Sequence, residues 1–210
     1  MDCGQVIAEV LPELVENVRR IHAHGRRAEE IVAAMQLHGH DSNESYAEIR
    51  VDDFFRSHTA LAVRGFQSRF PGFECHLDES SVGDVDVFVT KPGELSGVIV
   101  SLVDNACYAM RERVAEDASY LPVLEVRTYR DVGGLVFEVG DNGAGIPPSE
   151  RRMIFDPFYT TKPPGEGTGL GLSSSYEVVT KLGGVIEVHS RIGGGTVFRV
   201  RLPDHVADLS

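Results

Sequence analysis

The sequence predicts a two-layer α/β sandwich of the α+β class, one sheet covered by helices, preceded by a long N-terminal helix. Three observations predict it. Short runs of alternating apolar and polar residues mark half-buried strands. Apolar stripes at helical spacing mark helices between and beside them. The strands look antiparallel and cluster with the helices, as in one sheet with one covered face. Over 210 residues, 42% apolar and 25% charged content is ordinary for a globular protein and allows a core without staples.

The elements follow in chain order. Ile7, Leu11, Leu14, Val18, Ile21, Gly25, Ala28, Val32 and Met35 recur at alternating steps of four and three. That spacing marks a helix packed along its length against other helices. Pro12 suggests a kink, and Gly25 weakens the seam. Residues 1–40 therefore read as a helical segment. Polar residues with Gly39, Asp41, Ser42 and Asn43 lead into a linker over 41–50. The main domain spans 51–204, and 205–210 is a tail.

A helix is predicted from Val51 to Phe70, presenting Phe54, Phe55, Leu61, Ala62 and Phe66 and ended by Pro71–Gly72. Phe73, Cys75 and Leu77 share one strand face; Val85, Val87 and Val89 share another. Pro92 to Glu116 returns to helical spacing, with Leu95, Ile99, Leu102, Ala106 and Met110 as its apolar face. Strands follow at Leu124–Arg130 and Leu135–Gly140. A helix at Leu172–Leu182 is closed by Gly183–Gly184. Strands at Val185–Ser190 and Thr196–Leu202 finish the domain.

Charge and cysteines narrow the function. Lys and Arg total 20 against 32 Asp and Glu, a net charge of −12, which argues against a nucleic-acid surface. It permits a nucleotide pocket, which needs only local positive charge and backbone donors. Cys3, Cys75 and Cys107 are odd in number and match no metal or disulfide spacing, so a reducing compartment is expected, with Cys107 in the core. No apolar run is long enough to span a membrane, and no signal-peptide core opens the chain. The expectation is a cytoplasmic chain, with a membrane-anchored parent left open.

Four segments carry the chemistry. At about 100° per residue, Ser101, Asn105, Tyr108 and Glu112 form a polar flank on the helix from Pro92. Asn105 offers a carbonyl oxygen, a hard ligand suited to Mg2+ that bridges phosphates. Asp141-Asn142-Gly143-Ala144-Gly145-Ile146-Pro147 follows an apolar strand. Its glycines let the backbone approach a flat ligand. A carboxylate fixed there can accept from an exocyclic amine such as that of adenine. A plain Asp-Gly turn explains this segment equally well.

Ile154 to Lys162, followed by Pro163-Pro164-Gly165, reads as an aromatic-anchored loop with a lid-like remainder, and Lys162 would reach phosphate oxygens. Finally, Gly167-Thr168-Gly169-Leu170-Gly171-Leu172 opens a helix and presents free N–H groups to an anion. No βαβ unit frames it, which removes the Rossmann reading, and GxxxxGK[ST] is missing, which removes the P-loop.

In this order the segments resemble the N, G1, F and G2 boxes of the histidine-kinase, gyrase and Hsp90 type of ATPase fold, the Bergerat type. "LVDNACYAM", "VGDNGAGIP", "IFDPFYTTK" and "GTGLGLSSSYEVV" are most similar to the histidine-kinase branch. The likeness covers residues 92–202. It implies ATP and Mg2+ as cofactors, Asn105 as metal ligand and Asp141 as the reader of the adenine amine. Gly143, Gly145 and Ile146 would shape the adenine pocket, with Tyr108 beside it and Thr196 supporting it. Gly167, Thr168, Gly169, Leu170, Gly171 and Leu172 would line the phosphates. Asn105 and Lys162 would serve catalysis.

Ser101 separates the branches. Hsp90- and MutL-like ATPases carry there a glutamate that activates water, and a serine hydroxyl is far too weak a base for that. Transfer to a histidine needs mainly positioning and charge neutralisation. None of His22, His24, His38 or His40 has the acidic residue and proline that follow a phosphoacceptor histidine. "VENVRRIHAHGRRAEEIVAAMQLHG" resembles the second helix of the kinase dimerisation hairpin. The resemblance thus implies a protein histidine kinase whose phosphoacceptor lies in another chain or a missing segment. Its partner would be a response regulator, and the apolar stripe would favour self-association. An adenine-nucleotide-sensing module without transfer and a GHL-type ATPase are the alternatives.

Overall fold

The computed structural model describes residues 14–15, 25, 45–82, 86–117, 119–163 and 165–204. Most of the predicted N-terminal stripe and the tail at 205–210 lie outside these residues. Leu14, Val15 and Gly25 are described and are helical. The chain divides into two compact units, one of residues 43–156 with 171–210 and one that includes residues 157–170.

The first unit opens with β1 (Ala47–Arg50), which corrects the expected linker over 41–50: its last four residues are a strand. The reason is tertiary. β1 pairs antiparallel with β3 (Val87–Thr90), matching Ile49 to Phe88, and Ile49 is buried. A polar sequence hid one apolar anchor. In β3 the predicted face is also corrected. Phe88 and Thr90 point inward, whereas Val87 is exposed, because burying the larger Phe88 side chain decides the register.

Helix α1 (Val51–Arg69) starts with Asp52 and Asp53, whose charges suit the positive end of the helix dipole. It buries Val51, Phe55, Ala62 and Phe66, and Phe55 meets Phe137 with ring centres 4.9 Å apart. β2 (His76–Val82) begins later than the predicted run, and Phe73 and Cys75 lead into it. Helix α2 (Pro92–Glu116) has the predicted bounds, with proline preset in its first turn. Leu95, Ile99, Leu102, Ala106 and Met110 are all buried. Tyr108 is corrected: read as part of a polar flank, it is only 6% exposed.

Strands β4 (Val123–Asp131) and β5 (Gly134–Asp141), helix α3 (Gly171–Lys181), and strands β6 (Val185–Arg191) and β7 (Gly195–Leu202) complete the unit. A 3-10 turn, Met153–Phe155, stands between β5 and α3. The five-stranded sheet runs β2-β4-β5-β7-β6. Its β2–β4 pair is parallel, not antiparallel as expected, because β3 and α2 form the crossover between them. The other pairs are antiparallel.

Register explains the two faces. Thr128, Phe137, Val200 and Ile186 align across four strands and are all buried. On the opposite face Arg127, Glu138, Arg199 and Glu187 align with alternating charge, and Arg199 Nε donates to Glu138 at 2.7 Å. Opposite charges side by side favour this register over a one-residue slip. α3 ends as predicted: Gly183, at φ 73°, lets the Gly184 N–H reach the Val179 carbonyl at 2.8 Å.

Candidate functional site

Ser101, Asn105 and Ala109 recur every four residues and so lie along one line of α2. Each end of that line meets a different motif. A Cβ on Gly171, the first residue of α3, would stand 2.7 Å from Ser101 Oγ. A Cβ on Gly143 would stand 2.8 Å from the Ala109 carbonyl carbon. Only glycine permits that approach to the helix backbone. Asn105 thus sits between the start of α3 and the turn after β5. Its Nδ2 donates to the Ser101 carbonyl at 3.0 Å. This fixes the amide and leaves Oδ1, the harder ligand atom, without a partner among the described residues.

Asp141 ends β5, and one carboxylate oxygen accepts from the Gly143 N–H at 2.8 Å. Burial pushes its pKa up to about 6, against the pull of the Gly143 and Thr196 N–H groups, which favour the charged form. The site therefore keeps a largely desolvated carboxylate with capacity for a further donor. The turn after it is held by side chains that sequence reasoning did not single out. Asn142 accepts from the Tyr120 hydroxyl and from the Val123 N–H at 2.9 Å, and donates to the Leu121 carbonyl at 2.9 Å. Arg113 donates to the carbonyls of Asn142 at 2.7 Å, Gly193 at 3.0 Å and Gly143 at 3.4 Å. Arginine near a helix end carries no sequence signal for this role.

Gly145, at φ 76°, lies so close to the hairpin after β6 that a Cβ would stand 2.1 Å from the Arg191 carbonyl oxygen. The Ile146 N–H donates to Ser190 Oγ at 2.7 Å, and that hydroxyl lies 2.9 Å from Thr196 Oγ1. Thr196 is buried and pairs with Asp141 in register. Asp141, Gly143, Gly145, Ile146 and Thr196 are therefore tied into one local network. Tyr108 is buried on α2, with the Arg111 guanidinium 5.4 Å from its ring centre. Leu172 follows Gly171 in the first turn of α3 and is half-buried.

Lys162, Gly167, Thr168, Gly169 and Leu170 belong to the other unit. Within it the Phe158 N–H donates to the Gly169 carbonyl at 2.9 Å, closing the loop on itself. The Lys162 stem passes over Gly167, and Thr168 Oγ1 accepts from the Leu170 N–H at 3.3 Å. Gly169 has φ 71° and Phe158 has φ 68°, the latter a left-handed backbone that is uncommon outside glycine.

Two carboxylate readings resolve. Asp104 is ion-paired with Arg69 of α1. Among the described residues Ser101 Oγ is buried without a hydrogen-bond partner. No carboxylate stands at the water-activating position. No helix among the described residues is long and apolar enough to cross a membrane.

Comparison with known proteins gives the family and the fold. Sensor kinase CckA of Brucella abortus (strain 2308) is 41% identical over 118 residues, which are 53% of this chain and 12% of that protein. The chain thus spans a small part of the length of this curated relative. The catalytic domain of histidine kinase ThkA superposes with TM-score 0.61 at 22% identity, over 76% of this chain and 98% of that one. Full-length ShkA in complex with AMPPNP superposes with TM-score 0.70 at 19% identity, over 93% of this chain and 39% of that one. At such identities these structures establish the fold, a mixed sheet with helices. A family profile described as histidine kinase-, DNA gyrase B- and HSP90-like ATPase matches residues 90–206. With that match covering more than half its length, the chain belongs to the histidine kinase-, DNA gyrase B- and HSP90-like ATPase family.

Proposed function

We propose that this chain binds ATP with Mg2+ and presents the γ-phosphoryl group to a histidine outside the chain, as the catalytic part of a two-component sensor kinase. One observation supports the reading above all: a desolvated carboxylate, Asp141, ends β5 just before the turn whose Gly143 is seated against α2, the helix that carries Asn105. Adenine would bind through its amine to Asp141, over the backbone of Gly143, Gly145 and Ile146 and beside Thr196. The printed name of the CckA relative, a sensor kinase, favours transfer over sensing alone.

The residues present fit Mg2+ in the way a nucleotide-borne ion requires. Among the described residues no group of three His, Cys, Asp or Glu side chains could hold a metal. The fixed Oδ1 of Asn105 would be a single protein ligand to an ion held mainly by phosphate oxygens and water. Bound there, the ion would neutralise phosphate charge. The N–H groups of Gly171 and Leu172 at the start of α3 would favour the phosphates' negative charge.

Ser101 and the engaged Asp104 leave no base for water, so hydrolysis is expected to be slow. We infer that residues 1–40 serve as the second helix of a dimerisation hairpin and that a response regulator receives the phosphoryl group downstream. The test supplies γ-labelled ATP and Mg2+ with a separately purified phosphoacceptor hairpin of a sensor kinase. Label should appear on the hairpin and disappear with Asn105→Ala. Rapid phosphate release without labelled protein would refute transfer in favour of an ATPase.

A further inference from the structure

Of the four asparagines in the chain, Asn142 alone is followed by glycine. An asparagine loses its side-chain amide when the backbone nitrogen of the next residue attacks Cγ, and a glycine there has no Cβ to hinder the attack. The fold opposes this reaction at Asn142. Its Oδ1 accepts from the Tyr120 hydroxyl and from the Val123 N–H at 2.9 Å, and its Nδ2 donates to the Leu121 carbonyl at 2.9 Å, so the amide is held against residues 120–123. The Gly143 N–H donates to Asp141 Oδ1 at 2.8 Å. Removing that proton would set a negative nitrogen against a carboxylate. Arg113 Nη1 donates to the Asn142 carbonyl at 2.7 Å, which fixes the backbone between the two residues. The nucleotide reading gives Asn142 no role.

We propose that Asn142–Gly143 is a deamidation site that the fold keeps closed: when the turn after β5 opens, Asn142 becomes aspartate or isoaspartate, and adenine-nucleotide binding at that turn weakens. The Gly143 nitrogen, having lost its proton, attacks Asn142 Cγ and forms a C–N bond. The Cγ–Nδ2 bond breaks, and the departing nitrogen takes up a proton and leaves as ammonia. Water then adds to one of the two carbonyls of the cyclic succinimide. Cleavage of the new Cγ–N bond gives aspartate; cleavage of the original peptide bond gives isoaspartate, with the main chain rerouted through Cβ and Cγ. One water is consumed and one ammonia released. Neither product refits the turn. Aspartate cannot donate to the Leu121 carbonyl and sets a carboxylate oxygen against it. Isoaspartate lengthens the main chain by one carbon beside Gly143, whose backbone lies so close to α2 that an added Cβ would stand 2.8 Å from the Ala109 carbonyl carbon.

The modification stands independently of the nucleotide reading; its effect on affinity rests on it. The test ages the full chain at pH 8, folded and in guanidinium chloride, and follows residue 142 by peptide mapping and mass spectrometry. The unfolded chain should yield both aspartate and isoaspartate peptides, and the folded chain should convert at least about tenfold more slowly. Tyr120→Phe removes one bond to the Asn142 amide and should convert faster than the parent while circular dichroism shows it folded. In the parent chain, guanidinium chloride below the unfolding transition should raise the rate, a reading that needs no variant. An unfolded chain without conversion would overturn the site, and equal rates folded and unfolded would overturn its closure by the fold. The converted chain, once refolded, should bind Mg-ATP at least about tenfold more weakly than an intact chain taken through the same unfolding. Equal affinities would overturn the coupling. An intact chain that binds no nucleotide would instead refute the functional reading, while the peptide map still decides the site.

Discussion

The two ends of the Ser101–Asn105–Ala109 line differ in how their polar groups are satisfied. At the Ala109 end, Arg113 serves three carbonyls, and Asn142 uses both its oxygen and its nitrogen on residues 120–123. At the Ser101 end, among the described residues, a buried hydroxyl has no partner, and the Asn105 amide donates to the Ser101 carbonyl with its oxygen unbonded. Buried polar groups are rarely left so without a reason. The end proposed for adenine is therefore preorganised by bonds within the protein, and the end proposed for the metal keeps the capacity of its polar groups.

The largest expected effect breaks the adenine end chemically while sparing its shape. Asp141→Asn should weaken adenine-nucleotide binding by about 2–3 kcal/mol, on the order of 100-fold, measured by calorimetry. The same change should stabilise the unliganded protein. Asp141 has a folded pKa of about 6 against an ordinary 3.8, so the folded state binds protons more tightly. By linkage its contribution to stability falls as pH rises between these values and stays low above them. At pH 8 the variant should gain roughly 1–2 kcal/mol against urea. Unchanged affinity would show that Asp141 is not the reader.

Arg113→Ala tests whether the adenine end is built by its staple. Three carbonyls lose a charged donor, and the unfolding free energy should drop by about 2 kcal/mol. A loss below a few tenths would mean that water replaces the guanidinium at no cost.

A third test reads the carboxylate by titration. In the proposed reading nucleotide binding requires Asp141 ionised, with Tyr120 and Cys107 as its titratable neighbours. Affinity should hold from pH 8 to about pH 6.5 and fall roughly tenfold by pH 5, and Asp141→Asn should flatten that response. The smallest effect belongs to the other end. Ser101→Ala removes an unpaired buried hydroxyl and should stabilise the unliganded protein by less than about 1 kcal/mol, with adenosine affinity unchanged. Marked destabilisation there would erase the contrast between the two ends.

Much of the fold was legible because its signals are local. The bounds of α2 follow from Pro92 and an unbroken apolar stripe, and the end of α3 follows from Gly183. Glycine at 143 and 145 was legible as a need for close approach, although the partners, Ala109 and Arg191, were not. β1 was not legible. Its four residues hold one buried apolar side chain, and their pairing with β3 is a long-range contact. The inward face of β3 was misread because two valines outnumber one phenylalanine in the pattern but not in buried area.

By itself the sequence determined which chemical groups exist and where regular structure must form: the four boxes, their order, and the helices and strands between them. Those depend on neighbours along the chain, whose spacing is fixed by backbone geometry. Tertiary structure alone decided which polar groups are already paired. It bound Asp104 to Arg69 and left the Ser101 hydroxyl alone among the described residues. It also desolvated Asp141. Hydrogen bonding and burial are properties of proximity in space, and for residues distant along the chain only folding creates that proximity.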